Sequence, residues 1–418
     1  MFTLLLLAQA AQADTYSDPF DADLGRWEGG AVEGGALIVD DDVATLNLGA
    51  MTGFEATIRL TKADVGALTI KAGEARWKAD YVEDGWISLG EQGLPFPQGH
   101  RELVPDDSPV IEPGDDYWDG ANTLHCDVYY DAPTATWFLY WTGEMASGYP
   151  YRQIGVATST DGETWTKYAG NPVLTIDYDR TTVDGIHVHM PTVVVGADGT
   201  WHMYYSCYQN DVGNRICHAT SPDGLAWTPQ GVALELGGDG EFDEGSLRMP
   251  DVVVDEAGAW HMLYNGTDPD EHYGPTGYAT SDDGWTWEKR GAITDDETRL
   301  QGGGMVQTAY GVEQWWNCDD VFCYSVADPA DLTTWEDWPE VVQEKGWADW
   351  SSGYIQAPSV WLADYTYHLW FNAYDYAVDD EVIAHAKTVP LPGQSFTLSL
   401  SWDEIGRASC RERVCLYV

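Results

Sequence analysis

From about residue 120 to residue 390 the chain repeats one rhythm of apolar and polar positions. A run such as "HMPTVVVG" or "RMPDVVVD" gives way to a polar turn, then to an aromatic-rich run: "TWFLYWTG", "TWHMYYSC" or "AWHMLYNG". After that comes "ATSTDGETW", "ATSPDGLAW" or "ATSDDGWTW", followed by a short run such as "NPVLTI". Short runs rich in Val, Tyr and Trp, bounded by Gly and Asp, predict β-strands joined by tight turns. Near-copies of a supersecondary unit name an architecture. Two degraded copies follow, "GGGMVQTAYGVEQWW" and "IQAPSVWLADYTYHLWFNAYDYAVDDEVIAHAK". Repeats of four strands predict the blades of a five-bladed β-propeller over residues 98–390. The last copy supplies only three strands. "DDSPVIEPG" (Asp106 to Gly114) resembles "AGNPVLTID" (Ala169 to Asp177), so the segment around Pro109 to Glu112 is expected to complete the last blade and remove its open edge.

Residues 18–92 follow a different pattern, with short alternating apolar runs separated by Gly and Asp. They predict a small β-sandwich ahead of the propeller, so the fold class read from the sequence is all-β. "DPFDADLGRW" is similar to the start of concanavalin-like, laminin-G-like sugar-binding sandwiches. The first 13 residues read as an export signal, with an apolar Leu4–Leu7 core and a small-residue site at Ala11–Ala13. No run is long enough to span a bilayer. The expectation is an exported protein without a membrane span, periplasmic or extracellular, and monomeric. "EIGRASCRERV" (Glu404 to Val414) is locally Arg-rich in an acidic chain and reads as a non-native tail over residues 404–418.

Composition sharpens this picture. There are 69 Asp and Glu against 20 Lys and Arg, a net charge of −49. Nucleic acid is therefore excluded as a partner, because phosphate neutralisation needs Lys and Arg. The acidic residues are spread along the chain and read as a solvated surface. No cofactor is required by any motif, with Ca²⁺ at a local acidic cluster as the option left open. Cys207 and Cys217 flank one predicted hairpin, and Cys318 and Cys323 another, so two disulfides are expected, with Cys126 unpaired. The 21 Trp and 24 Tyr suit both sheet packing and sugar stacking.

"DGIHVHMPTVVVGADGTWHMYYSC" and "DEGSLRMPDVVVDEAGAWHMLYNG" resemble the five-bladed propellers of the glycoside hydrolase family 43, 32 and 62 superfamily. That resemblance implies a glycosidase acting on a poly- or oligosaccharide at the propeller axis, with an Asp base and a Glu acid at the starts of inner strands. In such families the acid commonly lies two residues before a strand proline, and the base directly before it. Here His125 (before Asp127), His189, Arg248 and Gln356 occupy the first position; Cys126, Met190, Met249 and Ala357 occupy the second. None is a carboxylate, so a non-catalytic glycan-binding or surface protein stands as the alternative function.

The candidate catalytic groups are therefore taken from nearby. Asp127 or Asp184 is the candidate base, Glu244 or His189 the candidate acid, and Asp119 a tuning carboxylate. Asp119, Asp184 and Asp243 recur at equivalent places, which also fits a turn-capping role. Glu244 stands outside the repeat. His125, His187, Arg248 and Gln356 are candidate substrate-binding groups: the imidazoles as channel hydrogen-bonders, the guanidinium as a grip on a sugar carboxylate or a neutraliser of nearby acids. Trp118 and Trp316 are candidate stacking platforms, with core packing as the alternative.

Overall fold

The computed structural model describes residues 102–389 except 115–116, 147–149, 256, 271, 295–302, 309–310, 318–320, 329–330, 345–352, 364–365 and 376–379. Outside that stretch it describes the backbone of strands only. The described chain is all β, and no helix in it is long and apolar enough to cross a membrane. Residues 404–418 and the linker at 90–100 lie outside the described residues.

Two compact units are present. The first comprises residues 1–102, 364–366 and 389–418. It holds a sheet in which Leu4–Gln9 lies between Ala13–Ser17 and Glu55–Arg59, and a five-stranded sheet. The Leu4–Leu7 run, read above as the core of an export signal, is thus a paired strand here. Strand Ser395–Asp403 returns to this unit and lies between Val43–Ala50 and Ala67–Ala72. That return is invisible to a reading that ends the folded chain at residue 390, because strand pairing between distant segments leaves no local signal.

The second unit contains the repeats. Repeat one comprises Asn122–Asp131, Thr136–Glu144, Arg152–Ser159 and Thr166–Lys167. Repeat two comprises His187–Val195, Trp201–Gln209, Gly213–Ser221 and Thr228–Leu234. Repeat three comprises Ser246–Val254, Trp260–Thr267, Tyr273–Ser281 and Glu288–Ala292. Repeat four comprises Gly304–Thr308, Gly311–Asn317, Val321–Asp328 and Asp331–Glu344. Repeat five comprises Ile355–Ala363, Thr366–Asp375 and Asp380–Val389, and Glu102–Pro105 pairs with its third strand. The first strand of each repeat touches that of the next, and that of repeat five touches that of repeat one.

The expected completion of repeat five is visible in its hydrogen bonds. The N–H groups of Val110 and Ile111 donate to the Ile383 carbonyl, and Ile383 N–H returns to Ile111. In repeat one, Val173, Leu174 and Ile154 make the same three bonds. The likeness of "SPVIEP" to "NPVLTI" is therefore a likeness of backbone pairing.

The nine-residue copies have a local cause. In "STDGETW", Ser159 Oγ donates to Asp161 Oδ1 (2.8 Å), and the N–H groups of Glu163 and Thr164 donate to that same oxygen. Gly162, at φ 75°, donates its N–H to Ser159 Oγ and accepts from Trp165 Nε1 (3.1 Å). These bonds hold the Asp161 carboxyl down at about 2. Ser221/Asp223/Gly224 and Ser281/Asp283/Gly284 repeat the Ser–Asp–Gly bonds. The turn also locks repeats together, since Tyr140 Oη donates to Gly224 O at 2.7 Å and Tyr204 Oη to Gly284 O. The motif builds the sheet hairpin and its neighbour contact.

Cys207–Cys217 bridges the second and third strands of repeat two, with Cα atoms 5.8 Å apart. Cys323 is also disulfide-bonded, and Cys318 lies outside the described residues. Cys126 is free and buried.

A net charge of −49 makes the compact state repel itself. Raising salt from about 0.01 M to about 1 M shortens the screening length from about 30 Å to about 3 Å. Thermal stability is expected to rise across that range in a calorimetric scan. A flat response would show that the carboxylates are already neutralised locally.

Candidate functional site

The first strands of repeats one, two, three and five each place a left-handed residue near their start, and these residues line one pocket together with Gly303 and Gly304 at the start of repeat four. They are the non-glycine residues His125 (φ 37°), Met190 (55°), Met249 (50°) and Ala357 (50°). Such residues are uncommon and held only where surroundings demand them. Here the demand is a hydrogen bond to the preceding repeat. Met190 N–H donates to Thr142 Oγ1 (2.9 Å), Met249 N–H to Ser206 Oγ (3.2 Å), Ala357 N–H to Asn317 Oδ1 (3.2 Å) and His125 N–H to Asn372 Oδ1.

This register corrects the alignment made from the sequence. His125 is equivalent to Met190, not to His189. Leu124 takes the place of His189, Arg248 and Gln356, and Cys126 that of Pro191, Pro250 and Pro358. Asp127 is then equivalent to Thr192, Asp251 and Ser359, one residue deeper in the strand. Asp127 Oδ2 accepts from Val193 N–H (2.6 Å) and Oδ1 from Ser359 Oγ (2.9 Å), while Ser359 Oγ accepts from Val128 N–H (3.0 Å). Asp127 therefore clasps the first strands of repeats five and two. Burial pushes its carboxyl up to about 6 against those bonds.

Asp251 lines the same pocket and is a carboxylate that the sequence reading passed over. Its Oδ2 is buried with no hydrogen-bond partner, and burial, with Asp127 nearby, raises its carboxyl well above the usual range. The folded state thus holds this proton more tightly than the unfolded chain. Its stabilising contribution is complete at low pH and is lost as pH rises through the folded value. Asp251→Asn is expected to raise Tm at about pH 8 and leave it little changed near pH 4. Parallel Tm–pH curves for variant and wild type would sink this assignment.

The antiparallel order brings first-strand starts, second-strand ends and third-strand starts to one end of the repeats. There Glu144 is fixed by Arg152 (2.8 Å) and by Asn122 Nδ2 (3.0 Å). Asn122 Oδ1 in turn accepts from Glu381 N–H (3.2 Å), so one amide links both glutamates. Glu381 accepts from Tyr354 Oη at one oxygen and from Asn372 Nδ2 (3.0 Å) at the other. Burial raises the Glu381 carboxyl above its ordinary range, with Tyr354 and Arg152 pulling against that rise. Arg152 also pairs with His187 across the parallel bridge between repeats one and two. The His187 and His189 rings are 5.6 Å apart, and His189 Nε2 meets Asn214 Oδ1 at 2.9 Å. Burial first, then Arg152, lowers His125 and His187 to about 3 and His189 well below its usual range.

Glu144, Arg152, Tyr354, Asn372 and Glu381 were not singled out from the sequence. Their signal lies in the repeat itself. Third-strand starts hold Arg152, Asn214, Gly274 and Glu381 at one register, while Ala157, Ala219, Ala279 and Ala386 further along are invariant. Divergence within an otherwise repeated strand marks positions released from the shared packing.

The remaining candidates sit elsewhere. Asp119 (1 % exposed) pairs with Lys167 at 2.7 Å, and Lys167 lies over the Trp141 ring. Asp243 pairs with Lys289 at 2.7 Å in the same way and accepts from Tyr264 Oη. Asp184 meets Tyr205 Oη at 3.3 Å, and burial lifts its carboxyl to about 6. These three carboxylates hold the entrance turns of their own repeats. Glu244 accepts from Gly240 N–H within its own turn. Trp118 is buried against Trp141, and a Cβ added at Gly143 or Gly155 would lie 2.3 Å from its ring. Trp316 is buried and donates from Nε1 to Ser325 Oγ (3.0 Å). Neither tryptophan offers a stacking face. Arg248 acts electrostatically on His187, and Gln356 stands at the start of the fifth first strand.

No protein-family model matches the sequence, and no curated protein does. Solved structures do match. A glycosyl hydrolase from Bacteroides ovatus aligns over 73% of this chain and 98% of its own, with a TM-score of 0.56 and 17% identity. A β-1,2-mannobiose phosphorylase from Listeria innocua aligns over 68% of this chain and 96% of its own, with a TM-score of 0.53 and 13% identity. At these identities the likeness is one of fold: an all-β fold shared with carbohydrate-active enzymes.

Proposed function

We propose that this protein is an exported, monomeric, five-bladed β-propeller glycoside hydrolase, with a lectin-like sandwich built from its first unit. The touching first strands and the Ile111–Ile383 pairing support the closed five-bladed reading. The solved glycosidase folds support the carbohydrate reading by analogy only. The observation that carries the chemistry is the glutamate pair joined through Asn122. Glu381, raised by burial, is the general acid and gives its proton to the leaving glycosidic oxygen. Glu144, ion-paired with Arg152, receives a proton from the attacking water. Asp127, Asp119 and Asp184, candidates on sequence grounds, become positioning groups in this reading. Among the described residues, the groups of three convergent donors are Asp184 with the disulfide pair Cys207 and Cys217, and Asp268, Asp270 and His272 on the surface.

A panel of polysaccharides incubated with the purified protein, assayed for released reducing ends and for retained protein, tests the proposal. Release lost in Glu144→Gln supports it. Retention without release favours a glycan-binding module, a reading supported by the absence of a carboxylate at every bulge position from His125 to Ala357.

A further inference from the structure

The segment that completes repeat five comes from a distant part of the chain, and titratable side chains hold it where repeat one uses apolar ones. Asp106 N–H donates to the His385 carbonyl (3.0 Å), ahead of the Val110 and Ile111 bonds to Ile383. In repeat one, Tyr168 N–H makes the same bond to the Val156 carbonyl (2.9 Å), ahead of Val173 and Leu174. Thr142 pairs with Ile154 as Asn372 pairs with Ile383. That register sets Val156 against His385 and Phe138 against His368. Val156 and Phe138 belong to one apolar cluster. Tyr168, Val156 and Phe138 of repeat one are thus Asp106, His385 and His368 in repeat five.

These three residues form a chain of hydrogen bonds. His385 is fully buried, and its Nδ1 donates to Asp106 Oδ2 (2.8 Å). A carboxylate only accepts, so His385 Nε2 is left as the acceptor and His368 Nδ1 as the donor of the bond between the rings (3.1 Å). The two rings stack, and Trp370 stacks on both. One added proton is shared, because one ring still offers a lone pair. With both rings charged, two N–H groups face each other and the bond is gone. The charged groups around the pair are Asp106 from the closing segment, Lys387 on the strand of His385, and Glu163 from the repeat-one turn, which pairs with Lys387. Burial first, then His385 and Lys387, holds His368 down at about 4, against the pull of Glu163 and Asp106. Release returns the ring to its ordinary value of 6.5. The advantage of the closed segment is therefore complete above that ordinary value and is lost as pH falls towards the folded one.

We propose that the segment 103–111 is an acid-operated latch: with both imidazoles charged it lets go of strand Asp380–Val389 while the other repeats stay folded. Its far end reaches the glutamate pair. Thr123 Oγ1 lies 3.3 Å from the Ile111 carbonyl oxygen and 3.1 Å from that of Glu381, and Asn122 beside it accepts from Glu381 N–H. Release of the segment therefore loosens the Asn122–Glu381 junction. Repeat two carries a similar pair, His202 Nδ1 and His218 Nε2 at 3.0 Å. Its fourth strand, Thr228–Leu234, follows directly in the chain, so acid weakens that pair without freeing a segment.

Hydrogen exchange of the full chain, read as protection factors from about pH 7 to about pH 4, tests the latch. Protection of the Val110 and Ile111 amides is expected to fall about a hundred-fold relative to Val173 and Leu174, which make the same bonds in repeat one. His368→Phe installs the repeat-one residue and should hold that fall to within about three-fold. His368→Gln keeps a donor for His385 Nε2, cannot charge, and should do the same. Tm at neutral pH, read in parallel, shows that each variant folds. A wild-type ratio that stays constant across the range overturns the proposal. So does a joint loss of protection in both repeats, which is global unfolding. So does a fall that persists in both variants, which would leave Asp106 alone responsible.

Discussion

Glu381→Gln is expected to lower glycan cleavage by at least about a hundred-fold, the usual contribution of a positioned general acid. The substitution keeps the shape of the site. The Gln oxygen can still accept from Asn372 Nδ2, and its amide can donate to the Tyr354 oxygen, whose hydroxyl hydrogen rotates away. Tm should therefore stay near the wild-type value. What disappears is the transferable proton. The loss should shrink for an aryl glycoside with an acidic phenol, because that leaving group departs without protonation. An equal loss on both substrates would mean that Glu381 shapes the site and transfers no proton.

The pH profile supplies a second, independent reading of the same group. The acid form of Glu381 is the active one, so kcat/KM should fall as pH rises through its folded value. Tyr354 donates to the carboxylate and so favours the charged form. Tyr354→Phe removes that bond. The alkaline limb of the profile should then move to higher pH. A shift to lower pH, or none, would detach that limb from Glu381.

How much of this was legible in the sequence depends on what each residue answers to. The strands and the Ser–Asp–Gly–Trp turns were legible, because a tight hairpin needs those residues locally, and local need repeats. The completion of repeat five was legible because Ile111 and Leu174 do the same backbone work in similar words. The position of His125 was not. A bulge adds one residue whose left-handed φ leaves no mark in the letters, and Cys126 hides the proline that marks the bulge in the repeats around Met190, Met249 and Ala357. The run of Val128, Val193, Val252 and Val360 after the bulge is the better anchor. Trp118 and Trp316 misled for a different reason. An indole suits a core and a sugar equally well, and only the close approach of Trp118 to Gly143 and Gly155 decides for the core. Glu144 and Glu381 stayed hidden because they come from a second and a third strand, whereas the family pattern places its carboxylates at first-strand starts.

Asp127 separates the two accounts of the channel most cleanly, and its two substitutions are expected to part company. Asp127→Ala orphans the Val193 N–H and the Ser359 hydroxyl at the junction of repeats five, one and two. Each buried unsatisfied group costs about 1–3 kcal/mol, so the variant should lose about 3 kcal/mol in denaturant unfolding. Asp127→Asn keeps an acceptor for Val193 N–H and gives Ser359 Oγ a donor in place of an acceptor, which its hydroxyl rotor tolerates. It also removes a carboxyl that burial holds at about 6. That carboxyl favours the fold fully below the unfolded-chain value, and its contribution is lost as pH rises through the folded one. At about pH 8 the Asn variant should therefore be at least as stable as the wild type, and below about pH 4 the two should converge. Its cleavage activity per folded molecule should stay within about two-fold of wild type, since a clasp needs hydrogen bonds and a base needs a charge. A base at this position would give the opposite result, a stable Asn variant with activity reduced by about a hundred-fold or more. Asp127 would then be the proton acceptor, and Glu144 would revert to holding Arg152.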